Sequence, residues 1–539
     1  AEQLLADWNQ LLDRGEYATA RQRWLDVHQA LWTSFPDDQR FAQAEVRAVW
    51  LDRGTIVAAR SPDGLARVFD RLAAAGFNTV FFETVNAGYP VYPSRVAPAQ
   101  NPLTRGWDPL AAAVELATER DLELHAWVWA FAAGNQAHNR LLGQPLDYPG
   151  PLISANPTWA NYDNGDRMIP LGQGKPFLDP ANREVRAYLL GLVDEIVSNY
   201  DVDGIQLDYI RYPFQDPSAD RTYGYGLAAR QQFQRLTGVD PATLSPRDQA
   251  NASPRERDRQ RQLWQQWTDF RIDQVSSFVG EVSDLLARHD ESLVLSTAVF
   301  AHSEHERLQK IQQHWEAWAR AGDVDMIVLM SYAQDTTRFE RLIQPWLLET
   351  DLNPALVLPG IRLLNLPNEV AFDQIQTLRD LPAGGYAVFA AENLNPSIHQ
   401  TFSTTQGGEQ ATAEPIPYRQ PFHTAASRYD VLLQEWMWLL SQDRLTINGM
   451  TAEQWFNEAQ QLQADLAALA DRPSAQGLQT ARQRLSQFET RFRLARVDAI
   501  NQSYHIQVWE HRFDTIADLL TYGEAQILGS SRVADQRSR

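Results

Sequence analysis

Eight short runs rich in β-branched and aromatic residues recur between residues 45 and 395, with amphipathic helical patterns between most of them. The runs are Arg47–Leu51, Phe77–Glu83, Leu122–Trp129, Val202–Asp208, Leu293–Val299, Val324–Tyr332, Ala355–Ile361 and Gly385–Ala390. Most are continuous apolar stretches rather than in–out alternations. Strands covered on both faces read this way, and they arise from parallel βαβ units. The pattern predicts intervening helices such as Pro62–Ala75, stopped by Gly76, and Asn182–Tyr200. Eight units in about 350 residues fit a closed (β/α)8 barrel, the TIM barrel. The rival is an open doubly wound sheet, which usually carries a glycine-rich phosphate loop after its first strand. Here that position reads Leu51-Asp52-Arg53-Gly54-Thr55, without G-x-G-x-x-G spacing. The expected fold class is therefore α/β, a (β/α)8 barrel over residues 45–395 with all-α additions at both ends.

Residues 1–44 read as a helical segment. Leu4, Leu5, Trp8, Leu11 and Leu12 form one stripe, Trp24 to Trp32 a second, and Pro36-Asp37-Asp38 ends it. Residues 396–424, rich in Pro, Thr, Gln and Gly, read as a linker. Residues 425–539 read as a helical bundle: Tyr429–Leu440, Ala452–Leu469, a long pattern from Leu478 to Val508, and Ile516–Ile527, with a polar, frayed end. The N-terminal helices are expected to complete this bundle, since chain ends often lie close together. A flanking bundle also offers a docking surface for a protein partner.

Composition narrows the function. The chain carries 48 Lys and Arg against 68 Asp and Glu, a net charge of −20, so no basic stripe is available for nucleic acid. No run of 18 apolar residues occurs, so no transmembrane helix is expected. Without cysteine there are no disulfides, thiolate metal sites or thiol nucleophiles. No H-E-x-x-H, G-x-S-x-G or Walker spacing appears, so no metal and no cofactor is expected. The first residues, Ala1-Glu2-Gln3, are read as a mature end left by signal-peptide removal, which places the protein in the periplasm or outside the cell.

The chemistry lies at strand ends. In the block from Tyr200 to Pro213, side-chain alternation puts Ile205 and Leu207 toward the helices and Gly204, Gln206 and Asp208 inside the barrel. Asp208 then stands at the carboxyl end of the fourth strand, where barrel enzymes carry their catalytic groups. Asp203, lower and of opposite parity, is expected to be structural. On the third strand His125, Trp127 and Trp129 face inward, poor filler but good sugar contacts. Further acids recur at strand ends: Glu83, Asp335 and Glu392. A pair of carboxylates is what glycoside hydrolysis requires. Tyr92, Tyr209, Arg211 and Tyr332 complete the expected cleft lining.

Ordered blocks carry a family resemblance over Glu45–Asn393. They are Arg47-Ala48-Val49-Trp50-Leu51, Gly76-Phe77-Asn78-Thr79-Val80, Tyr92-Pro93-Ser94, Trp107-Asp108-Pro109-Leu110, His125-Ala126-Trp127, and Asp203-Gly204-Ile205 through Tyr212-Pro213. This stretch resembles the bacterial glycosyl-hydrolase-like family ten, whose barrels act on cell-envelope glycans. The resemblance implies a glycosidase barrel. One branch of the family trims peptidoglycan strands that have lost their stem peptides, and a distant relative cuts partly deacetylated poly-N-acetylglucosamine. Asp208 matches the family's acidic position after the fourth strand. Many members have two acids in a row there, where this chain has Asp208-Tyr209. The block also resembles the chitinase pattern D-G-x-D-x-D-x-E, but Gln206 and Ile210 replace the middle acid and the proton donor, which removes that mechanism.

The resulting expectation is a glycoside hydrolase on an amino-sugar polymer of the bacterial envelope, most simply peptidoglycan strands. Asp208 is the central carboxylate, and Glu83 or Asp335 is the acid. A catalytically silent glycan-binding or scaffolding protein is the alternative. A second carboxylate within reach of Asp208 discriminates between the two. A barrel enzyme on a plant or storage polysaccharide differs only in substrate.

Overall fold

The computed structural model describes residues 2–34, 38–247, 253–408, 410–446, 452–494, 498–499 and 502–529. All eight runs form strands: β1 (Val46–Leu51), β2 (Thr79–Asn86), β3 (Glu123–Trp129), β4 (Gly204–Asp208), β5 (Val294–Phe300), β6 (Met326–Met330), β7 (Leu356–Arg362) and β8 (Gly385–Phe389). Each pairs in parallel with the next, and β1 bonds to both β2 and β8, which closes the barrel. The one antiparallel addition is Tyr89–Pro90, folded back on the end of β2.

Helices start where the sequence supplies caps. Ser61 accepts from Gly64 N–H ahead of Pro62–Ala74, and Asn182 accepts from Glu184 and Val185 N–H ahead of Arg183–Asn199. In the long β4–β5 connection, Ser253 and Glu256 form a reciprocal capping box, with Pro254 at the first position of the helix Pro254–His289. That helix packs on Arg183–Asn199 through Arg186, which donates to both oxygens of Glu281.

Closure forces alternate side chains into the barrel interior, and the expected parity holds. Trp50 Nε1 on β1 donates to Gln206 Oε1 on β4 at 2.5 Å, across the interior. His125 is fully buried one layer below, edge-on to Phe81 and Tyr418. Gly204 makes room for it: a Cβ there would stand 2.9 Å from His125 Nδ1 and 2.4 Å from the Val294 carbonyl. Asp203 lies at the amino end, where its carboxylate accepts from Leu124 N–H at 2.7 Å.

Residues 396–424, expected as a linker, do structural work. They include the helix Pro396–Thr405, and then they close the barrel floor. Tyr418 shares a hydrogen bond with Thr79 Oγ1, and Arg419 donates to Glu123, to Asp203 and to the Ser292 carbonyl. Four helices follow: Pro421–Ser441, Ala452–Asp471, Ala475–Leu494 and Gln502–Gly523. Trp436 lies at their centre, with Trp455, Phe492, Trp509 and Phe513 all within 6.0 Å of it, ring centroid to centroid. The expected continuous pattern from Leu478 to Val508 is interrupted, because Asp498–Ala499 pairs with Leu445–Thr446 in a short antiparallel ladder. At the N-terminus, helices Glu2–Asp13 and Tyr17–Thr33 form a hairpin, and Trp32 meets Phe372 of the barrel helix Asn368–Arg379 at 5.7 Å. The stop signal at Pro36-Asp37 and the polar end beyond residue 529 lie outside the described residues. Among the described residues no helix is long and apolar enough to cross a membrane.

The close approach at Gly204 makes a stability test. Gly204→Ala is expected to lower stability by about 1–3 kcal/mol through overpacking. Denaturant unfolding would show a lower midpoint at unchanged slope. An unchanged midpoint would mean that the layer around His125 has room to spare.

Candidate active site

A cleft of about 350 Å³ opens at the carboxyl ends of the strands. Its floor and walls come from Trp50 of β1, Glu83 and Asn86 of β2, Trp127 and Trp129 of β3, Asp208 of β4, and Phe389 of β8. The volume is in the range of small-ligand sites. A larger cleft of about 650 Å³ lies between residues 346–357 and the helix Gln502–Gly523. It borders the amino end of β7, remote from the mouth where barrel chemistry is built.

Two buried carboxylates face this cleft from β2 and β4, with β3 between them. At about 4.8 Å per strand, their backbones are about 10 Å apart along the sheet, and both side chains point inward. Glu83 Oε2 accepts from Arg53 N–H at 2.6 Å, and Oε1 accepts from the Asn86 amide at 2.5 Å. Burial dominates, and those two donors only partly offset it, so its pKa is pushed up to about 7. Asp208 is 9% exposed. Its Oδ1 accepts from Tyr209 N–H at 2.6 Å, and its Oδ2 accepts from the Trp127 indole at 3.1 Å. Burial raises its pKa as well, opposed by the Tyr209 N–H, the nearby Arg211, the Trp127 indole and Lys175. Tyr209 adopts φ 50°, a left-handed conformation uncommon outside glycine, which turns its N–H onto the carboxylate that precedes it.

Aromatic rings surround the pair. Trp129 and Tyr209 stand 4.3 Å apart, centroid to centroid, and Phe389 meets both Trp127 and Tyr332. The Trp129 indole N–H is buried without a hydrogen-bond partner among the described residues. Arg211 lies over the rings of Tyr209, Phe214 and Phe300 at 5.0–5.2 Å, and Lys175 lies over Tyr209 and Trp129 at 5.4 and 5.7 Å.

The structure brings Asp208, Glu83, Trp127, Trp129, Tyr209, Arg211 and Tyr332 together, with Glu392 on the rim. Three expected residues lie elsewhere. Asp335 is exposed and caps the helix Thr336–Leu348 by accepting from Arg338 N–H at 2.8 Å, so it is not the acid. Tyr92 is buried under the β2 connection and donates to Glu195 at 2.9 Å. His125 has the inward parity but lies too low. Burial, with Arg419 adding to it, pushes its pKa down to about 3, so it is a neutral core residue. The residues that sequence reasoning missed are Asp52, Arg53, Lys175, Phe300 and Phe389. Asp52 and Arg53 follow β1 directly and obey the same strand-end rule that found Glu83 and Asp208. Lys175 sits in the loop between β3 and β4, where no periodicity marks it. Among the described residues no group of three His, Cys, Asp or Glu side chains could hold a metal ion.

The profile of the glycosyl hydrolase-like 10 family matches residues 45–373, well over half of the chain, and the chain belongs to that family. It is 29% identical over 182 residues to the glycosyl hydrolase DigH of Escherichia coli K12, a match covering 31% of this chain and 39% of DigH. It is 27% identical over 187 residues to the glycosyl hydrolase YngK of Bacillus subtilis, covering 32% and 34%. The match thus spans well under half the length of either relative. Among solved structures, the PgaB (BpsB) glycoside hydrolase domain from Bordetella bronchiseptica aligns at 15% identity with a TM-score of 0.47, over 68% of this chain and 100% of that domain.

The Trp127–Asp208 hydrogen bond can be tested alone. Trp127→Phe keeps the ring and removes the donor, leaving a buried carboxylate with one partner fewer at a cost of about 1–3 kcal/mol to its charged form. Titration of Asp208 in the variant is expected to move upward relative to the parent. An unmoved Asp208 would mean that the indole contributes nothing to its ionisation.

Proposed function

We propose that this glycosyl hydrolase-like 10 family member is a glycoside hydrolase acting on an amino-sugar polymer of the bacterial cell envelope, most simply peptidoglycan glycan strands, in the periplasm or outside the cell. The observation that carries the reading is the pair of buried carboxylates in one aromatic cleft, each in a different electrostatic setting. Glu83, with a pKa pushed to about 7, holds a proton near neutral pH and suits the general acid. Asp208 receives two N–H donors beside two cations, which favours its ionised form and suits the base or nucleophile. In cleavage, Glu83 gives its proton to the glycosidic oxygen as the C–O bond breaks. Asp208 stabilises the positive charge developing at the anomeric carbon, water bonds there through its oxygen, and its surplus proton passes to the carboxylate pair and so restores the Glu83 proton. Trp127, Trp129 and Tyr332 supply rings for the C–H faces of the sugars. The amino-sugar polymer and the envelope location rest on the family resemblance. The second acid that many relatives carry next to the Asp208 position is Tyr209 here, and Glu83 takes up its part. That weakens the case for a silent binding protein.

The test is incubation of the purified chain with peptidoglycan strands, with and without stem peptides, and with chitooligosaccharides, followed by mass spectrometry of new reducing ends. Release from one of these is expected, and Asp208→Asn is expected to lower it by at least about 100-fold while the variant stays folded. A folded, fully active Asp208→Asn variant would remove the assignment.

The pH profile follows from the two carboxyls. Glu83 must be protonated, so kcat/KM is expected to fall as pH rises through about 7. Asp208 must be ionised, so the rate is expected to fall on the acid side above the ordinary aspartate range. Glu83→Gln would remove the alkaline limb together with most of the activity. Retention of that limb in the variant would assign it to another group.

A further inference from the structure

The cleft carries charges of both signs. Asp52, Glu83 and Glu392 stand at the carboxyl ends of β1, β2 and β8 with Arg53 among them, and burial, with the charge of Asp52 adding to it, pushes the Glu83 and Glu392 carboxyls toward their neutral forms. Arg211 lines the cleft beside Asp208, and Lys175 lies against the Trp129 and Tyr209 rings that line it, close enough for both cations to favour the Asp208 carboxylate.

Other cations of the chain are better satisfied: Arg428 donates to the Ala44 and Ala383 carbonyls, and Arg53 to Asn86. Buried Arg47, Arg307 and Arg379 each pair with a carboxylate: Glu414, Glu316 and Glu45. Buried Arg271 has no carboxylate but donates to Gln215, to Thr268 and to the Tyr223 and Trp267 carbonyls. Arg211, 7% exposed, makes one hydrogen bond, to the Tyr212 carbonyl at 2.8 Å. Among the described residues it forms no ion pair, its guanidinium lies against aromatic rings, and it lines the cleft. Lys175, half-buried, has neither a hydrogen bond nor an ion pair among the described residues, and only aromatic faces lie beneath it. In a chain of net charge −20, two partly desolvated cations without carboxylate partners among the described residues therefore stand at one cleft, Arg211 in its lining and Lys175 behind the Trp129 and Tyr209 rings. An unpaired charge held away from water is costly unless a ligand completes it. A planar guanidinium fork matches a carboxylate in a bidentate contact.

We propose that Arg211 and Lys175 form a subsite for a carboxylate carried by the saccharide, and that Lys175 is a specificity-determining residue. This rests on reading the cleft as a glycan site. The carboxylate comes from one of two chemical sources: an acid-bearing ether substituent on an amino sugar, as in a muramyl residue without its peptide, or the C6 carboxylate of a uronic acid.

A merely electrostatic role, keeping Asp208 ionised, would affect neutral and anionic glycans alike, and that difference is the test. Equilibrium binding of the full chain is measured with three probes of equal length: glycan strands with free lactyl carboxylates, uronate oligosaccharides, and neutral chitooligosaccharides. One of the two anionic probes is expected to bind at least tenfold tighter than the neutral one, with the advantage shrinking as salt rises. Which of the two it is identifies the carboxylate source. Lys175→Gln is expected to cut that advantage at least fivefold, and Lys175→Arg is expected to restore most of it. Equal binding of all three probes, or a Lys175→Gln loss shared equally by neutral and anionic probes, would overturn the subsite. Hydrolysis without carboxylate preference would sink this inference and leave the glycosidase reading standing. Selective binding without hydrolysis would do the reverse.

Discussion

Closure of the eight-stranded sheet is the constraint on which the site depends. Once β1 bonds to both β2 and β8, every second side chain on each strand is committed to a shared interior. There is no alternative register that keeps apolar residues outside under the helices and polar ones within. Trp50, Gln206, His125 and Gly204 settle the lower layers, and Trp127, Glu83 and Asp208 are left for the mouth. The carboxylates are therefore positioned by strands rather than by loops, which gives them the rigidity that acid–base geometry needs.

Burial then differentiates the two acids. Both are taken from water, which raises both pKa values, but they are repaid differently. Glu83 receives one backbone N–H and one amide. Asp208 receives a backbone N–H turned toward it by the left-handed Tyr209, an indole N–H, and the field of two cations. Similar burial with unequal compensation sets the two carboxyls in different electrostatic environments.

The strands, their order and their inward faces were legible because parallel buried strands leave continuous apolar runs and because side-chain alternation is geometric. Gly204, Gln206 and Asp208 follow from that alone. What sequence did not disclose was depth and partnership. His125 shares the parity of Trp127 but sits a layer lower, and parity cannot tell floor from mouth. Asp335 looks like any other strand-end acid until its carboxylate is seen capping a helix. Tyr92 is turned away by its bond to Glu195, a residue 103 positions distant. Lys175 enters the site from a loop with no periodic signal. The floor formed by Tyr418 and Arg419 hides in a stretch whose composition resembles a linker, because its contacts are specific side-chain bonds rather than an apolar stripe.

If Glu83 and Asp208 act as one catalytic pair, a double-mutant cycle on glycan hydrolysis reveals it. Residues acting in a single chemical step are strongly non-additive, so the double variant Glu83→Gln, Asp208→Asn should be no slower than the slower single variant by more than a few-fold. Multiplicative losses, or a single variant that retains nearly full activity while folded, would contradict the pair and place the chemistry on other groups.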